Sequence, residues 1–243
     1  MGKFYESTEK KNRNSKNVHK QRDSKKKSEN KTKEQKFKSG MHTWVSYWRA
    51  NPHRFVIEYL NLYPFSIFQA ILLYMMFQSN YFLLWATRGI GKSYLVAIYA
   101  IVRCILYPET KIAIAAGTKG QSLNIISEKI QDFYNKSPLL QREIIEIKSS
   151  INDPKVVFAN GSWIKVVAAR DSARSSRANV LILDEFRMID NDVIKKVLTK
   201  FLTGRRRPKF LDRPEYAKRT DLQEPNTEIY LSSAWLSYSI IYI

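Results

Sequence analysis

The sequence predicts an α/β domain: a mainly parallel sheet flanked by helices, behind a disordered basic tail. Three observations predict it. Short apolar runs that end at turns alternate with longer stretches in which apolar residues recur at helical spacing. A turn containing two glycines joins the first of these runs to a long apolar stretch. The composition also breaks near residue 40, where a segment rich in Lys, Asn, Ser and Glu gives way to one rich in aromatics.

The chain has 243 residues, 44% of them hydrophobic and 13% aromatic, too many for a wholly disordered protein. Residues 1–40 carry a net charge of +9 out of +19 for the whole chain, with Phe4, Tyr5, Val18 and Phe37 as their sizeable apolar residues. Such a segment cannot bury enough surface to offset its ordering entropy, so residues 1–40 read as a disordered tail and residues 41–243 as the folded domain. The tail suits either a nucleic-acid contact arm or a solvated extension. Adhesion to anionic lipid fits less well, because no amphipathic stripe accompanies the charge. A single cysteine, Cys104, excludes an internal disulfide framework and any multi-cysteine metal site. The opening residues do not form a secretory leader. The longest apolar runs, Ala70–Phe77 and Tyr94–Val102, fall short of the roughly 18–20 residues a membrane-spanning helix needs.

The elements follow in order. Met41–Tyr63, interrupted by Pro52, reads as short helices around a turn, and Pro64 precedes a helical stretch from Phe65 to Phe77. Tyr81–Ala86 is a buried strand, Thr87–Lys92 a turn, and Ser93–Leu106 a buried helix that stops before Pro108. Lys111–Ala116 is a second strand. Thr118–Asn135 places Leu123, Ile126, Ile130 and Phe133 near helical spacing. Val156–Phe158 and Trp163–Ala168 flank Asn160-Gly161, a strong hairpin signal. Val180–Leu183 is a buried strand, Val193–Leu202 a helix stopped by Gly204, and Glu228–Ser232 a last strand.

The turn after the first strand is the sharpest chemical signal. Ala86-Thr87-Arg88-Gly89-Ile90-Gly91-Lys92-Ser93 follows the phosphate-loop pattern, with Ala86 where a glycine usually opens it. Gly89 and Gly91 let the backbone turn its N–H groups toward phosphate oxygens, and the next helix offers its positive end. Lys92 would reach the β- and γ-phosphates of a nucleotide, and the Ser93 hydroxyl would sit on Mg²⁺. Downstream, Val180-Leu181-Ile182-Leu183 runs into Asp184-Glu185. A buried strand that ends in two acids puts carboxylates where open α/β sheets bind ligands. Asp184 would hold Mg²⁺, and Glu185 would serve as general base toward the attacking water. The bland alternatives are a glycine turn beside a surface lysine, and a strand followed by a solvated turn.

In this order the residues resemble the ATPase domain of tailed-bacteriophage terminase large subunits. Four stretches, spanning roughly residues 60–236, carry the likeness. Pro64-Phe65-Ser66-Ile67-Phe68-Gln69 resembles the family's adenine-reading Q motif, with Gln69 offering its amide to the base. Thr87–Ser93 resembles the family's arginine-bearing phosphate loop. Ala173-Arg174-Ser175-Ser176-Arg177-Ala178-Asn179 resembles the basic segment before the acid-tipped strand, although Ser175 and Ser176 stand where the family often has glycine. Leu231-Ser232-Ser233-Ala234 resembles the coupling motif beside the γ-phosphate.

The resemblance implies a P-loop NTPase of the RecA-like, ASCE type that uses ATP and Mg²⁺ to drive double-stranded DNA into a prohead. It implies that Arg88 can act as a catalytic arginine. It makes Arg174 and Arg177 candidates either for sensing phosphate or for reaching a neighbouring subunit's site, and it lets Ser232 and Ser233 relay loss of the γ-phosphate. It further implies a portal protein and a small terminase subunit as partners, a homo-oligomeric ring, no membrane, and the cytoplasm of an infected bacterium as location. The family's nuclease domain is not expected in this chain, which ends shortly after Ser232; the expectation is a fragment that cuts no DNA by itself. Arg205-Arg206-Arg207 with Lys209 could grip DNA phosphates or form a solvated loop. His19, His42 and His53 lack metal-binding spacing and are unassigned. Two other readings stay open. A superfamily 2 helicase would need a second RecA-like domain. A non-catalytic DNA-binding remnant would bind DNA without hydrolysis.

Overall fold

The computed structural model describes residues 32–63, 65–150, 153–169, 177–214, 216 and 223–234. Pro64 and the segment from Arg170 to Ser176, including Arg174, lie outside them. The chain divides into two compact units, residues 1–47 and 48–243.

In the first unit, residues 1–31 of the expected tail lie outside the described residues. Helix α1, Lys33–Ala50, begins within the stretch expected to be tail. The cause is local. Thr32 and Gln35 form a reciprocal capping box at 3.2 and 3.3 Å. Glu34 pairs with Lys38 one turn on at 2.6 Å. Phe37, Met41 and Trp44 recur at helical spacing.

The second unit carries a seven-stranded sheet. Its strands are β1 Tyr81–Ala86, β2 Lys111–Ala116, β3 Ile144–Lys148, β4 Lys155–Phe158, β5 Trp163–Ala168, β6 Val180–Asp184 and β7 Thr227–Ser233. The spatial order is β1-β7-β6-β2-β5-β4-β3. The first five strands of that order pair in parallel, and β4 and β3 close the far end antiparallel. The β4–β5 hairpin turns at Asn160-Gly161 as the sequence indicates, with Gly161 at φ +83°.

The helices α2 Ile67–Gln78 and α3 Lys92–Leu106 pack on one face of the sheet. So does a helical run of α4 Lys119–Asn124, a π-helical turn Ile125–Ile130, and α5 Gln131–Lys136, followed by α6 Pro138–Glu143. Strand alternation assigns the faces. Ile112, Ile114, Val180, Ile182, Ile229 and Leu231 join this core. Ala113, Ala115, Leu181, Leu183 and Tyr230 point to the other face, where Ile194, Val197, Leu198 and Phe201 cover them. Those last residues form one irregular helical run: Asn191–Val193, a π turn at Ile194–Leu198, and a 3₁₀ turn at Thr199–Thr203 that ends at Gly204.

The sequence predicts a buried strand for β1, and the fold departs from that. β1 is not buried on both faces, because it forms the end of the sheet beyond the reach of that second layer. Phe82 and Ala86 are buried, whereas Tyr81, Leu83 and Trp85 are more than half exposed or at half. Among the described residues, no helix is long and apolar enough to cross a membrane.

Candidate nucleotide site

The sheet order assembles the site. β7 lies between β1 and β6, with Ala86 opposite Ser233, Trp85 opposite Ser232, and Asp184 opposite Leu231. The C-terminal ends of three parallel strands therefore bring the glycine turn, the serine pair and the acid pair to one edge.

Gly89 and Gly91 adopt left-handed backbone at φ +87° and +85°, which a side chain there would strain. Gly91 is the residue from which α3 starts, so Lys92 and Ser93 occupy the helix's first turn, where backbone N–H groups have no helical partner. Thr87, Arg88 and Gly89 are exposed, Ile90, Gly91 and Ser93 half-buried, and Lys92 buried. Gln69 lies against this loop. A Cβ on Gly91 would approach the Gln69 Nε2 to 2.9 Å. The Gln69 Oε1 accepts the Ser66 N–H at 3.1 Å in a second capping box, which holds the amide in place at the start of α2.

The Lys92 ammonium donates to the Ser233 Oγ at 3.0 Å and to the carbonyls of Ala86 and Thr87 at 3.3 Å, and lies 3.9 Å from the Glu185 Oε1. Glu185 has left-handed backbone, φ +50°, and its carboxylate ends on β7. There it accepts from the Ser233 N–H at 2.9 Å, the Ser232 hydroxyl at 3.2 Å and the Ser233 hydroxyl at 2.5 Å. Burial acts upward on the Glu185 carboxyl, but Ser233, Lys92 and Ser232 outweigh it and hold the group below its ordinary value. Asp184 behaves oppositely. Burial pushes its carboxyl up to about 6; the adjacent Glu185 charge adds to this, while Lys92 and a backbone N–H oppose it.

Ser93, Asp184 and Glu185 line a cavity of about 290 Å³ together with Asn124, Ile125, Glu128 and Lys129. In that lining, Ser93 and Asp184 are a hydroxyl and a carboxylate that could hold a cation. Mg²⁺ characteristically takes one or two carboxylates plus phosphate oxygens and water rather than a protein cage. Among the described residues, no group of three or more His, Cys, Asp or Glu that could hold a metal ion occurs.

The loop, Gln69, Lys92, Ser93, Asp184, Glu185, Ser232 and Ser233 are thus brought to one edge, and Arg88 sits on the exposed turn of the same loop. Arg177 is not brought there. It precedes β6 and lies at the opposite end of the sheet, about 17 Å away for a five-residue strand. Asn124, Glu128 and Lys129 were not legible as site residues, because their helical run carries no motif and only the fold turns it onto the cavity.

A phosphate loop at the end of one strand, an Asp-Glu pair at the end of another, and a single strand between them define a P-loop NTPase. Residues 83–219 match the family described as terminase large subunit, T4likevirus-type, N-terminal. The chain belongs to this family. Among solved structures, the large terminase of bacteriophage HK97 shares 17% identity at a TM-score of 0.50, covering 70% of this chain and 33% of that one. The large terminase ATPase domain of Thermus phage P74-26 shares 16% at 0.47, covering 75% and 70%. The large terminase of the thermophilic bacteriophage D6E, in complex with ATP-γ-S, shares 10% at 0.49, covering 70% and 38%. The chain thus spans about a third of the length of the HK97 protein. No curated protein matches it.

Proposed function

We propose that this chain is an ATP-hydrolysing motor domain of a phage terminase large subunit, acting in the host cytoplasm on double-stranded DNA. The observation that carries the reading is the contact set of Lys92: one buried ammonium touches both the coupling serine, Ser233, and the catalytic-base candidate, Glu185. When ATP enters, Lys92 exchanges carbonyl and hydroxyl partners for β- and γ-phosphate oxygens, a charge-assisted and stronger set. The loop amides and the first turn of α3 hold the remaining phosphate oxygens. Gln69 presents its Nε2 to the adenine. Ser93 and Asp184 would hold Mg²⁺, which when bound offsets charge on the β- and γ-phosphates.

Glu185 orients a water and takes its proton as the water oxygen bonds to the γ-phosphorus and the bond to ADP breaks. Its lowered pKa keeps it ionised at neutral pH. Arg88, exposed on the loop, supplies a guanidinium for charge developing on the transferred phosphoryl group. Loss of the γ-phosphate returns Lys92 to Ser233, so β7 registers the nucleotide state. A portal protein, a small terminase subunit and a ring of copies complete the proposed assembly, and no DNA cleavage is assigned to this chain.

The test is ATP turnover in Mg²⁺ with and without duplex DNA. Turnover that rises on adding DNA supports the motor reading. DNA binding with no turnover at any Mg²⁺ concentration contradicts it.

A further inference from the structure

The arginine run after Gly204 does not act as one patch. Burial alternates along it: Arg205 is exposed, Arg206 buried, Arg207 exposed and Pro208 buried. Arg206 turns inward and makes a two-point pair with Glu224, 2.7 and 3.2 Å, while its Nη1 donates to the Pro108 carbonyl at 2.9 Å. Arg103 shares Glu224 at 2.9 Å, and the Tyr107 ring lies under Arg103 and Arg206. These bonds fasten the loop to the end of α3. They leave Arg205 and Arg207 to face outward.

There the two meet cations from the sheet. Arg205 and Arg207 line a concavity of about 220 Å³ with Lys111, which starts β2, and Arg177, which precedes β6. Its walls include Ala178, Asn179 and Gly204, and one acid, Glu109. Lys111, Arg177 and Arg205 make no ion pair among the described residues. Arg207 pairs with Asp212 at 3.0 Å, but both side chains are mostly exposed, so the pair is weak and exchangeable. Four cations against one lining acid, held on a fastened loop and two strand ends, form a preorganised anion seat. Its lining is cationic rather than aromatic, which suits phosphate oxygens rather than a nucleotide's base.

We propose that this concavity at the N-terminal edge of the sheet grips the phosphate backbone of duplex DNA. It is separate from the nucleotide site and lies at the other end of β6. The choice of duplex DNA as the polyanion rests on the motor reading above; the cation cluster itself does not. Phosphate contacts by Arg and Lys carry no sequence preference and release counterions, so their signature is salt dependence.

The experiment measures affinity for a labelled DNA duplex of arbitrary sequence, on the full chain, across about 50–200 mM salt. The R205A/R207A double variant should bind more weakly on every sequence, with the slope of log affinity against log salt reduced by about two. R205K/R207K should restore most of that slope, since a lysine also neutralises a phosphate. DNA-free ATP turnover should not change. An unaltered slope in R205A/R207A overturns the proposal. So does a lysine variant as defective as the alanine one. So does an intact DNA slope with ATP turnover that falls and depends on protein concentration, which would mean that the cations serve a neighbouring copy's nucleotide. Lys92→Ala separates the two readings: it should leave the DNA slope intact, and failure to disturb ATP binding would count against the nucleotide site without touching the grip.

Discussion

The two ends of β6 treat charge in opposite ways. At its C-terminal end, Asp184, Glu185 and Lys92 are drawn together, partly or wholly buried, and tied to Ser232 and Ser233. At its N-terminal end, Lys111, Arg177 and Arg205 are exposed and make no ion pair among the described residues. Paired, buried charge makes geometry precise and pKa values unusual, which suits bond-breaking on a small ligand. Exposed charge of one sign is screened and adaptable, which suits a long polyanion that must also be let go. Arg206 belongs to neither class. It is a buried fastener inside a basic run.

The largest effect is expected at the acid pair. Glu185→Gln should retain ATP yet lower turnover by about 10²–10⁴-fold, the range for a general base, as read by steady-state phosphate release. Undiminished turnover would mean that another group takes the proton. A smaller effect should come from the fastener. Arg206→Ala leaves Glu224 without its two-point partner and should cost about 2–3 kcal/mol in thermal or urea unfolding. Arg205→Ala, on the exposed side of the same run, should stay within about 0.5 kcal/mol. Equal costs would erase the distinction between inward and outward arginines.

A pH experiment sharpens the same contrast. The Asp184 carboxyl is raised to about 6 in the folded chain, above its value in an unfolded one. The fold therefore gains from holding that proton at low pH, and the gain is lost as pH rises through about 6. Asp184→Asn should then raise the melting temperature of the nucleotide-free chain at pH 7–8 by a few degrees, while removing Mg²⁺-dependent turnover. A variant less stable at that pH would show that the buried carboxylate is not destabilising. The smallest effect belongs to Ser233→Ala. It should move the acid limb of the pH–turnover profile upward, because the hydrogen bonds that hold the Glu185 pKa down are weakened.

Much of this was legible in the sequence. The bounds of β1 and β2 follow from apolar runs stopped by turn residues, the hairpin from Asn160-Gly161, and the residues of the candidate nucleotide site from the glycine turn and the acid pair. What escaped depends on partners far along the chain. β3, Ile144-Ile145-Glu146-Ile147-Lys148, lacks clean alternation and is a strand because β4 lies beside it. The exposure of Leu83 and Trp85 follows from strand order, which no local pattern encodes. Arg206 points inward because Glu224 waits 18 residues later. The start of α1 was hidden by composition, since Thr32 and Gln35 cap a helix inside an otherwise tail-like segment.

The most direct measurement is calorimetric titration of Mg·ATP into the wild-type chain and Lys92→Ala. The expected result is saturable binding by the wild type and a loss of about 100-fold or more in the variant, the scale for removing charge-assisted bonds to phosphate. Equal affinity in the two proteins would contradict the assignment of the β1–α3 turn as the nucleotide's phosphate cradle.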